Sequence, residues 1–391
     1  MAAVVRYRFR PDLGMSLLGR LAGVALPKPG CPTGLSKCCL LHHRQLHESV
    51  IPRGRGGRSS FGGIVATVFG ATGFLGRYVV GRLGHEGNQV IIPYRGDSYD
   101  TAHLQPMGDL GQLIFREWYA WDEDSIRNSV KNSNVVINLV GREWESNNFS
   151  YDDVFVKIPQ NLARISKEEG VQRFIHMSHI NADVGSPSPF LRAKGLGEQV
   201  VREAFPEAII LKPSDIYGQE DTFFNYFACL RLFGGVPLIK MGKDTSKKPV
   251  FIVDIAKAIV QSARDPNAPG QTYVLTGYNR YSLHEIVKFV YSVAHRPFIP
   301  YHLPTRLYML WALCFEKFSV HRWTTRDKVN RMHISDLDFP GLPGLEDLGI
   351  KPSSIESKTI EVVRRHRIHR WLEEDVEEAQ LPKIIVDEST T

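Results

Sequence analysis

The chain has few of the features that define several large functional classes. No apolar run approaches the ~20 residues that cross a bilayer, and the best candidate, residues 307–315, is short and lies between Arg306 and Glu316. Cysteine is scarce, and neither a Cys-x-x-Cys pair nor a Cys/His cluster with metal spacing occurs. We therefore expect a soluble or peripheral protein without a metal site. Cys229 and Cys314 lie in separate apolar segments and are expected to be buried, inert thiols.

Acidic residues are nearly absent from the first 60 positions, where ten Lys or Arg accompany only Asp12 and Glu48. Because the whole chain has a net charge of +6 and this segment has +8, the remainder sums to about −2 (6 − 8). The basic balance therefore gives no support for nucleic-acid binding. Arginines interleave with leucines here, which is typical of a mitochondrial transit peptide. We predict this peptide over residues 1–45, with cleavage between about 30 and 60; a basic disordered tail is the alternative.

The most informative segment is residues 65–80, where an apolar run ends in Gly-x-x-Gly-x-x-Gly and helix-like spacing follows. A strand, a tight turn and a helix start in this order hold a dinucleotide pyrophosphate. Gly70 permits the turn, Gly73 permits close approach of the phosphates, and Gly76 permits close packing of the helix on the sheet. The helix N-terminus then faces the anion. The predicted cofactor-binding residues of this segment are Gly70, Thr72, Gly73, Phe74, Leu75 and Gly76.

Strand-like and helix-like segments alternate from residue 62 onward. The strand-like runs are residues 64–69, 89–93, 113–115, 135–140, 174–178 and 208–211. Helical spacing lies between most of them, as in residues 154–166 and 196–204. This alternation predicts an α/β fold, a Rossmann-type doubly wound parallel sheet with helices on both faces. We assign the NAD(P)-binding domain to residues 62–295, with a late strand-like run at 250–253 and Asp254 as the N-cap of the next helix.

Residues 296–391 have a different texture. Aromatic, proline and basic residues crowd together as far as Trp323, followed by a loop-rich stretch at 337–350 and a charged helix-like run at 360–378. We expect a less compact, helical and loop-rich C-terminal extension that wraps the first domain or docks on a partner or membrane surface. The aromatic and basic mixture at 307–323 suits either a core or a lipid headgroup interface.

The end of the second strand-like run bears on the identity of the cofactor. Many NAD sites place a carboxylate there for the ribose 2′-hydroxyl, whereas this sequence has Arg95, whose forked cation suits a 2′-phosphate. Asp97 lies two residues later and could accept the hydroxyl instead, and Arg95 could be a solvated strand-end charge. We predict NADPH, with NADP(H) favoured over NAD(H).

Several motifs, in family order over residues 62–265, resemble the extended and atypical short-chain dehydrogenase/reductase superfamily. They are the glycine turn, Asn138-Leu139-Val140-Gly141, residues 173–178, Lys194 with Glu198, residues 212–218 and residues 253–256. The resemblance implies further cofactor-binding residues: Leu139, Val140, Gly141, Ser178, Lys194 and Pro213.

The superfamily's Tyr-x-x-x-Lys reads Phe190-Leu-Arg-Ala-Lys194 in this chain. In the family the phenolate is the general acid/base, and the lysine lowers its pKa while bonding the nicotinamide ribose. Phe190 has no oxygen and cannot move a proton, so we predict no catalytic residue, although the ribose contact of Lys194 would survive. His176 or His179 could replace the acid/base, or could be core or loop histidines. Tyr217 is either site-lining or a packing residue.

Longer stretches are similar to the nucleotide-binding accessory subunits of mitochondrial respiratory complex I: residues 59–95, 135–138, 155–159, 207–217, 325–334 and 342–350. This resemblance implies a peripheral subunit on the matrix side of the inner membrane that contacts other complex I subunits and carries a tightly held NADPH. Our first hypothesis is a non-catalytic subunit with a structural cofactor. The alternatives are an active NADP-dependent reductase or epimerase on a lipophilic substrate, and a redox-sensing interaction module.

Overall fold

The computed structural model of the chain describes residues 57–232, 234–318, 324–367 and 381–385. The predicted transit peptide, residues 1–45, lies outside the described residues, as does most of its cleavage range. So does the part of the charged helix-like run beyond residue 367.

The centre of the fold is a seven-stranded sheet in which every pairing is parallel. Counting the short strands outside this sheet, the strands of the described residues are, in chain order, β1 (Val65–Phe69), β2 (Gln89–Tyr94), β3 (Leu113–Glu117), β4 (Val135–Asn138), β5 (Arg173–Met177), β6 (Ile209–Pro213), β7 (Ile216–Tyr217), β8 (Val236–Leu238), β9 (Ser246–Lys247), β10 (Val250–Phe251), β11 (Thr272–Leu275), β12 (Tyr281–Ser282) and β13 (Pro300–His302). The sheet has the order β11-β6-β5-β4-β1-β2-β3. The strand order reverses between β1 and β4, which is the switch point where doubly wound sheets bind ligands.

Helices cover both faces of this sheet. The α-helices of the described residues are α1 (Phe74–His85), α2 (Glu123–Val130), α3 (Ile158–Glu168), α4 (Pro189–Ala204), α5 (Phe224–Cys229), α6 (Ile252–Arg264), α7 (Leu283–Val293), α8 (Thr305–Phe318), α9 (Arg326–Met332) and α10 (Ile355–Val363). Successive residues of β1 alternate between the two faces: Val68 joins the apolar cluster of α1 and α6, whereas Phe69 joins that of α2, α3 and α4. The predicted doubly wound α/β fold is therefore confirmed.

The described part of the C-terminal segment is helical and packs onto this domain. Leu345, Leu348 and Val362 belong to the same apolar cluster as β1 and α1. The hydroxyl of Tyr217 donates to the Ser353 carbonyl at 3.4 Å. Residues 324–367 thus pack on the first domain, and docking of the extension on a partner or membrane surface stays a prediction.

Three local expectations were wrong. Helix α6 begins at Ile252, so Asp254 is not its N-cap; the Asp254 carboxylate instead accepts the Ser353 N–H at 2.7 Å. Cys229 and Cys314 are exposed rather than buried, because each lies on the outer face of its helix. An apolar segment therefore did not guarantee a buried thiol.

Candidate functional site

A cleft of about 460 Å³ opens at the switch point of the sheet. Its walls come from the residues that follow β1, β2 and β4, together with one residue after β3: Gly70, Thr72, Gly73, Pro93, Tyr94, Arg95, Gly96, Asp100, Trp118, Leu139, Val140 and Gly141. The structure thus brings together the predicted residues of the glycine turn, of the second strand end and of the fourth strand end.

The glycine turn has the geometry that an anion site requires. Gly70 has φ +80°, and a Cβ there would lie 2.8 Å from the Leu139 carbonyl group, so both conformation and space require glycine. A Cβ at Gly73 would meet only the Gly70 carbonyl oxygen, at 3.2 Å. Gly73 is the N-cap of α1, without a side-chain cap and with no acidic residue in the first turn. The first N–H groups of α1 are therefore free to bind an anion.

Phe74, Leu75 and Gly76 pack against other parts of the protein. A Cβ at Gly76 would lie 2.5 Å from the Ala71 backbone, so this glycine packs the helix on the turn itself rather than directly on the sheet. Leu75 is buried in the core, and the Phe74 ring packs on Gly218. The Phe74 and Leu75 side chains do not line the cleft, which leaves their backbone N–H groups as the parts that serve an anion.

Arg95 lies at the exposed end of β2, with its guanidinium 5.9 Å from the Trp118 ring and 5.6 Å from the Phe149 ring. Among the described residues it has no ion pair. Desolvation, and then repulsion from Arg142, lowers the pKa of Arg95. Arg142 likewise has no ion pair within the described ranges, so two guanidiniums bring positive charge to the side of the cleft near Arg95.

Asp97 and Asp100, the two carboxylates near Arg95, differ in whether they line the cleft. Asp97 accepts the Tyr99 N–H at 3.1 Å and thereby caps the 3₁₀ helix Ser98–Met107. Its side chain is engaged by the protein, so Asp97 is a poor candidate for binding a ribose. Asp100 lines the cleft itself and is a carboxylate that sequence reasoning missed, because it lies one turn into that 3₁₀ helix.

Ser178 follows β5, Lys194 lies in α4 and Pro213 ends β6, and none of the three is in the cleft lining. The Ser178 hydroxyl is buried and donates to Glu198, whose other oxygen pairs with Lys212 at 2.8 Å. Lys194 donates to the Ser178 carbonyl oxygen at 2.9 Å. Because Glu198 already accepts its proton, the Ser178 hydroxyl is not free to polarise a substrate.

Two cations flank the ring of Phe190, which is 7% exposed. The Arg331 guanidinium carbon lies 3.9 Å from the ring centroid, and the Lys194 ammonium lies 5.3 Å from it. The Phe155 ring packs edge-on against it at 4.9 Å. Burial, and then repulsion from Arg331, lowers the pKa of Lys194 to about 7. Sequence reasoning missed Arg331, because nothing in the α9 sequence signals where that helix docks.

The two candidate replacement bases are both engaged by the protein. The His176 Nδ1 lies 3.1 Å from the Asn138 amide nitrogen, and burial followed by repulsion from Lys194 lowers the pKa of His176 to about 3. The His179 Nδ1 accepts the Asn181 N–H at 3.1 Å, and burial lowers the pKa of His179. Both rings are therefore neutral near pH 7 and act as structural hydrogen-bond acceptors.

Two further features lie outside the cofactor cleft. Tyr217 is fully buried and stacks on Phe224 at 4.9 Å, so it is a packing residue.

A second cavity, of about 550 Å³, lies between α8, α9 and residues 144–151. It holds none of the predicted cofactor-binding residues, and its walls include Glu145, Glu316 and Asp327, so it does not suit a phosphate-rich ligand.

Comparison with known proteins agrees with this architecture. Residues 66–276 match the NAD dependent epimerase/dehydratase family. NADH dehydrogenase [ubiquinone] 1 alpha subcomplex subunit 9, mitochondrial, of Mus musculus is 54% identical over 385 residues, which cover 98% of this chain and 100% of that protein. The mitochondrial NADH-ubiquinone oxidoreductase 40 kDa subunit of Neurospora crassa is 35% identical over 321 residues, 82% and 84% of the two chains.

Among solved structures, UDP-glucose 4-epimerase of Thermotoga maritima with UDP-glucose matches with a TM-score of 0.58 at 18% identity, over 77% of this chain and 98% of that one. At this identity the match shows the fold alone. The chain belongs to the NAD dependent epimerase/dehydratase family and, within it, to the family of the mitochondrial NADH dehydrogenase [ubiquinone] 1 alpha subcomplex subunit 9 proteins.

Proposed function

We propose that this protein is a non-catalytic accessory subunit of mitochondrial respiratory complex I that holds NADPH tightly as a structural cofactor. The observation that supports the proposal is a contrast: the cleft is lined by the glycine turn and Arg95, which suit a dinucleotide, whereas by the family resemblance Phe190 takes the place of the tyrosine that donates the proton. The names of the relatives, which are mitochondrial subunits of NADH-ubiquinone oxidoreductase, support a mitochondrial place beside other subunits of that complex. A peripheral position on the matrix side of the inner membrane is part of the proposal.

The residues of the cleft fit a dinucleotide with a 2′-phosphate. The free N–H groups after Gly73 would bind the pyrophosphate, and Arg95 would bind the 2′-phosphate. Lys194, beyond β5, would bond the nicotinamide ribose. Asp100 is the residue that would favour NAD(H) instead, since a carboxylate accepts bonds from a ribose hydroxyl.

A cofactor of this kind contributes to folding. A ligand that binds only the native state stabilises it by about 4 kcal/mol at a thousandfold excess over its dissociation constant. The cleft joins the ends of β1, β2 and β4, which are distant in sequence, so bound NADPH would link them. NADPH supplies a hydride in active enzymes; here its proposed role is to keep the subunit folded for assembly.

The surroundings of Phe190 support the absence of turnover. The phenyl ring has no proton to give, the Ser178 hydroxyl already donates to Glu198, and His176 is held by Asn138. None of these three side chains is therefore free to donate a proton to a water or ketone placed here. Restoring a hydroxyl alone, as in Phe190→Tyr, would leave the Ser178 hydroxyl bound to Glu198.

The test uses the full mature chain isolated within its complex. Its nucleotide is released and identified by mass spectrometry, and the absorbance of the reduced nicotinamide is followed while a ketone or quinone is offered. Stoichiometric NADPH that is not turned over, in wild type and in Phe190→Tyr alike, is expected. Repeated turnover would establish a reductase, and nucleotide exchange within seconds would favour a redox-sensing module.

Helix α8 supports a peripheral contact with lipid. Leu307, Leu310 and Phe315 are 55%, 58% and 42% exposed, and they lie between Arg306 and Lys317. No helix in the described ranges is long and apolar enough to cross a membrane. An apolar face flanked by cations suits the headgroup boundary. Leu310→Asp should reduce co-sedimentation with anionic phospholipid vesicles, and an unchanged bound fraction would reject this contact.

A further inference from the structure

The segment that joins β8 to β9 contains a left-handed turn, residues 239–242. Lys240 has φ +48° and Met241 has φ +60°, and Gly242 follows with φ +67°. Residues other than glycine rarely adopt this conformation, because the Cβ comes too close to the following carbonyl oxygen. Two such residues in succession are strained, so other contacts must hold the turn in place.

Two histidines accept backbone N–H groups of this turn. The Ile239 N–H donates to Nε2 of His333 at 3.3 Å, and the Lys240 N–H donates to Nδ1 of His302 at 3.0 Å. The His333 Nδ1 donates to the Val329 carbonyl oxygen at 2.8 Å, which leaves Nε2 as the accepting nitrogen. An imidazole nitrogen accepts a hydrogen bond only while it carries no proton. Both bonds to the turn therefore require neutral rings.

A third histidine holds the turn in the opposite sense. The Met241 carbonyl oxygen lies 3.0 Å from the His284 Nδ1. Because a carbonyl oxygen only accepts, His284 is the donor, and it can still donate when its ring is protonated. Protonation thus removes the two bonds from His302 and His333 and leaves the bond from His284.

The two proton-sensitive bonds lie at the two ends of the α8–α9 segment. His302 is the last residue of β13, which precedes α8, and His333 directly follows α9. Ile239 of the turn packs against the small apolar cluster that contains Tyr308 of α8 and Val329 of α9. The turn therefore links both helices to the rest of the domain.

The charged groups beside the turn are already paired. The Lys240 ammonium lies 3.1 Å from Asp244, and the buried Lys247 ammonium lies 2.7 Å from Asp215 and 3.3 Å from Asp336. Among the described residues, no carboxylate lies within ion-pair distance of the three histidines that bond the turn. A protonated ring would therefore gain no compensating partner.

The aromatic groups that pack on these rings are uncharged near neutral pH. Tyr308 of α8 lies edge-on to His333 at 6.3 Å, and burial raises the pKa of Tyr308. Phe298 lies 5.4 Å from His284. Burial lowers the pKa of His333 against the opposing bond to Val329, and repulsion from Lys247 lowers it further. Since the open segment binds the proton more readily, acidification favours opening.

We propose that the left-handed turn is a pH-sensitive latch, which neutral His302 and His333 close over α8 and α9 and which their protonation opens. In the open state the N–H groups of Ile239 and Lys240 face protonated rings that no longer accept, and the strained backbone relaxes. The latch depends neither on bound nucleotide nor on partner subunits. It would make the position of α8, and with it the proposed lipid contact, respond to mild acid.

The test is hydrogen–deuterium exchange of the full-length mature protein, measured by mass spectrometry at about pH 7.5 and about pH 5.5. After correction for the intrinsic pH dependence of exchange, peptides over residues 236–243 and 325–334 should exchange on the order of tenfold faster at the lower pH, relative to peptides of α1. The double variant His302→Asn, His333→Gln places an amide oxygen near each accepting nitrogen and cannot titrate. It should exchange slowly at both pH values. His85→Gln, at an exposed position of α1, is the matched control and should keep the wild-type response.

Each outcome decides one part of the latch. Equal corrected exchange of wild type at the two pH values overturns the latch, and a wild-type response in the double variant overturns the role of the two histidines. If the double variant does not fold, the two single variants decide, since each should reduce the response. Lys240→Gly relieves the strain and should move the opening to lower pH; an unchanged opening pH would show that strain takes no part.

Discussion

The two ends of the site differ in how the chain fills them. At the β1–β2–β4 end the walls are backbone and glycine, and Arg95 is exposed beside an open cleft. At the β5–β6 end the corresponding space is packed with Phe190, Phe155 and Arg331. The comparison teaches that the two ends of this fold can differ independently: one stays open while side chains of the same chain fill the other.

The closed end is held by a buried charge cluster, and breaking it should have the largest effect. Lys247 is fully buried, with its ammonium 2.7 Å from Asp215 and 3.3 Å from Asp336. Asp336→Ala should lower the free energy of unfolding by about 3 to 5 kcal/mol, because it strips a partner from a buried cation. Chemical denaturation measures this. Asp338→Ala, whose carboxylate is 44% exposed, is the control and should cost less than about 1 kcal/mol.

The open end should respond to ligand rather than to packing. Gly73→Asp places a carboxylate where the pyrophosphate would bind, so the nucleotide-dependent stabilisation, about 4 kcal/mol at a thousandfold excess, should disappear. Thermal melts with and without NADPH measure it. Gly81→Ala is the control on the same helix, because a Cβ there would meet only the Met107 sulfur at 3.7 Å, and it should retain the NADPH-dependent shift. An unchanged NADPH response in Gly73→Asp would remove the cofactor from this cleft.

The proposed contact between Arg95 and a 2′-phosphate sharpens the comparison further. Arg95→Ala should weaken NADPH binding about 10- to 100-fold, which is the loss of a charge-assisted bond of about 1.5–3 kcal/mol, and should leave NADH nearly unaffected. Asp100→Asn should act in the opposite sense, weakening only NADH. Titration calorimetry with both nucleotides decides this. Equal losses for the two nucleotides would argue that Arg95 has no role in selectivity.

The pH dependence of stability should report Lys194 at the closed end. Its folded pKa of about 7 lies below the ordinary 10.5, so the unfolded chain binds more protons between these values. The free-energy cost of burying the charged Lys194 ammonium is complete below pH 7 and is relieved as the pH rises toward 10.5. Stability of wild type relative to Lys194→Met should therefore rise with pH, by at most about 1.4 kcal/mol per unit. A flat difference would mean that the pKa is not lowered.

The local sequence pattern predicted most of the sheet, because most of its strands are short apolar runs flanked by residues that interrupt a strand. It missed β11, whose four residues carry too little signal, and it began α4 too late. Gly195 and Gly197 interrupt the helical pattern there, and the reason is tertiary: a Cβ at Gly195 would lie 2.9 Å from the Asp183 backbone, and one at Gly197 would meet the Phe155 carbonyl. Close approach by another segment overrides helix propensity.

The candidate site shows the same division between residues that the local sequence predicts and residues that tertiary packing decides. The sequence by itself determined the glycine turn, because a strand, turn and helix start are encoded within one short segment, and it placed Arg95 at the next strand end. The replacement of a catalytic tyrosine by Phe190 stays a prediction from the family resemblance. Only the tertiary structure decided that Asp97 caps a helix, that Ser178 is bound by Glu198, and that Arg331 lies over Phe190. Arg331 follows Phe190 by more than a hundred residues, and contacts between such distant segments depend on how complete elements pack, which no local pattern records.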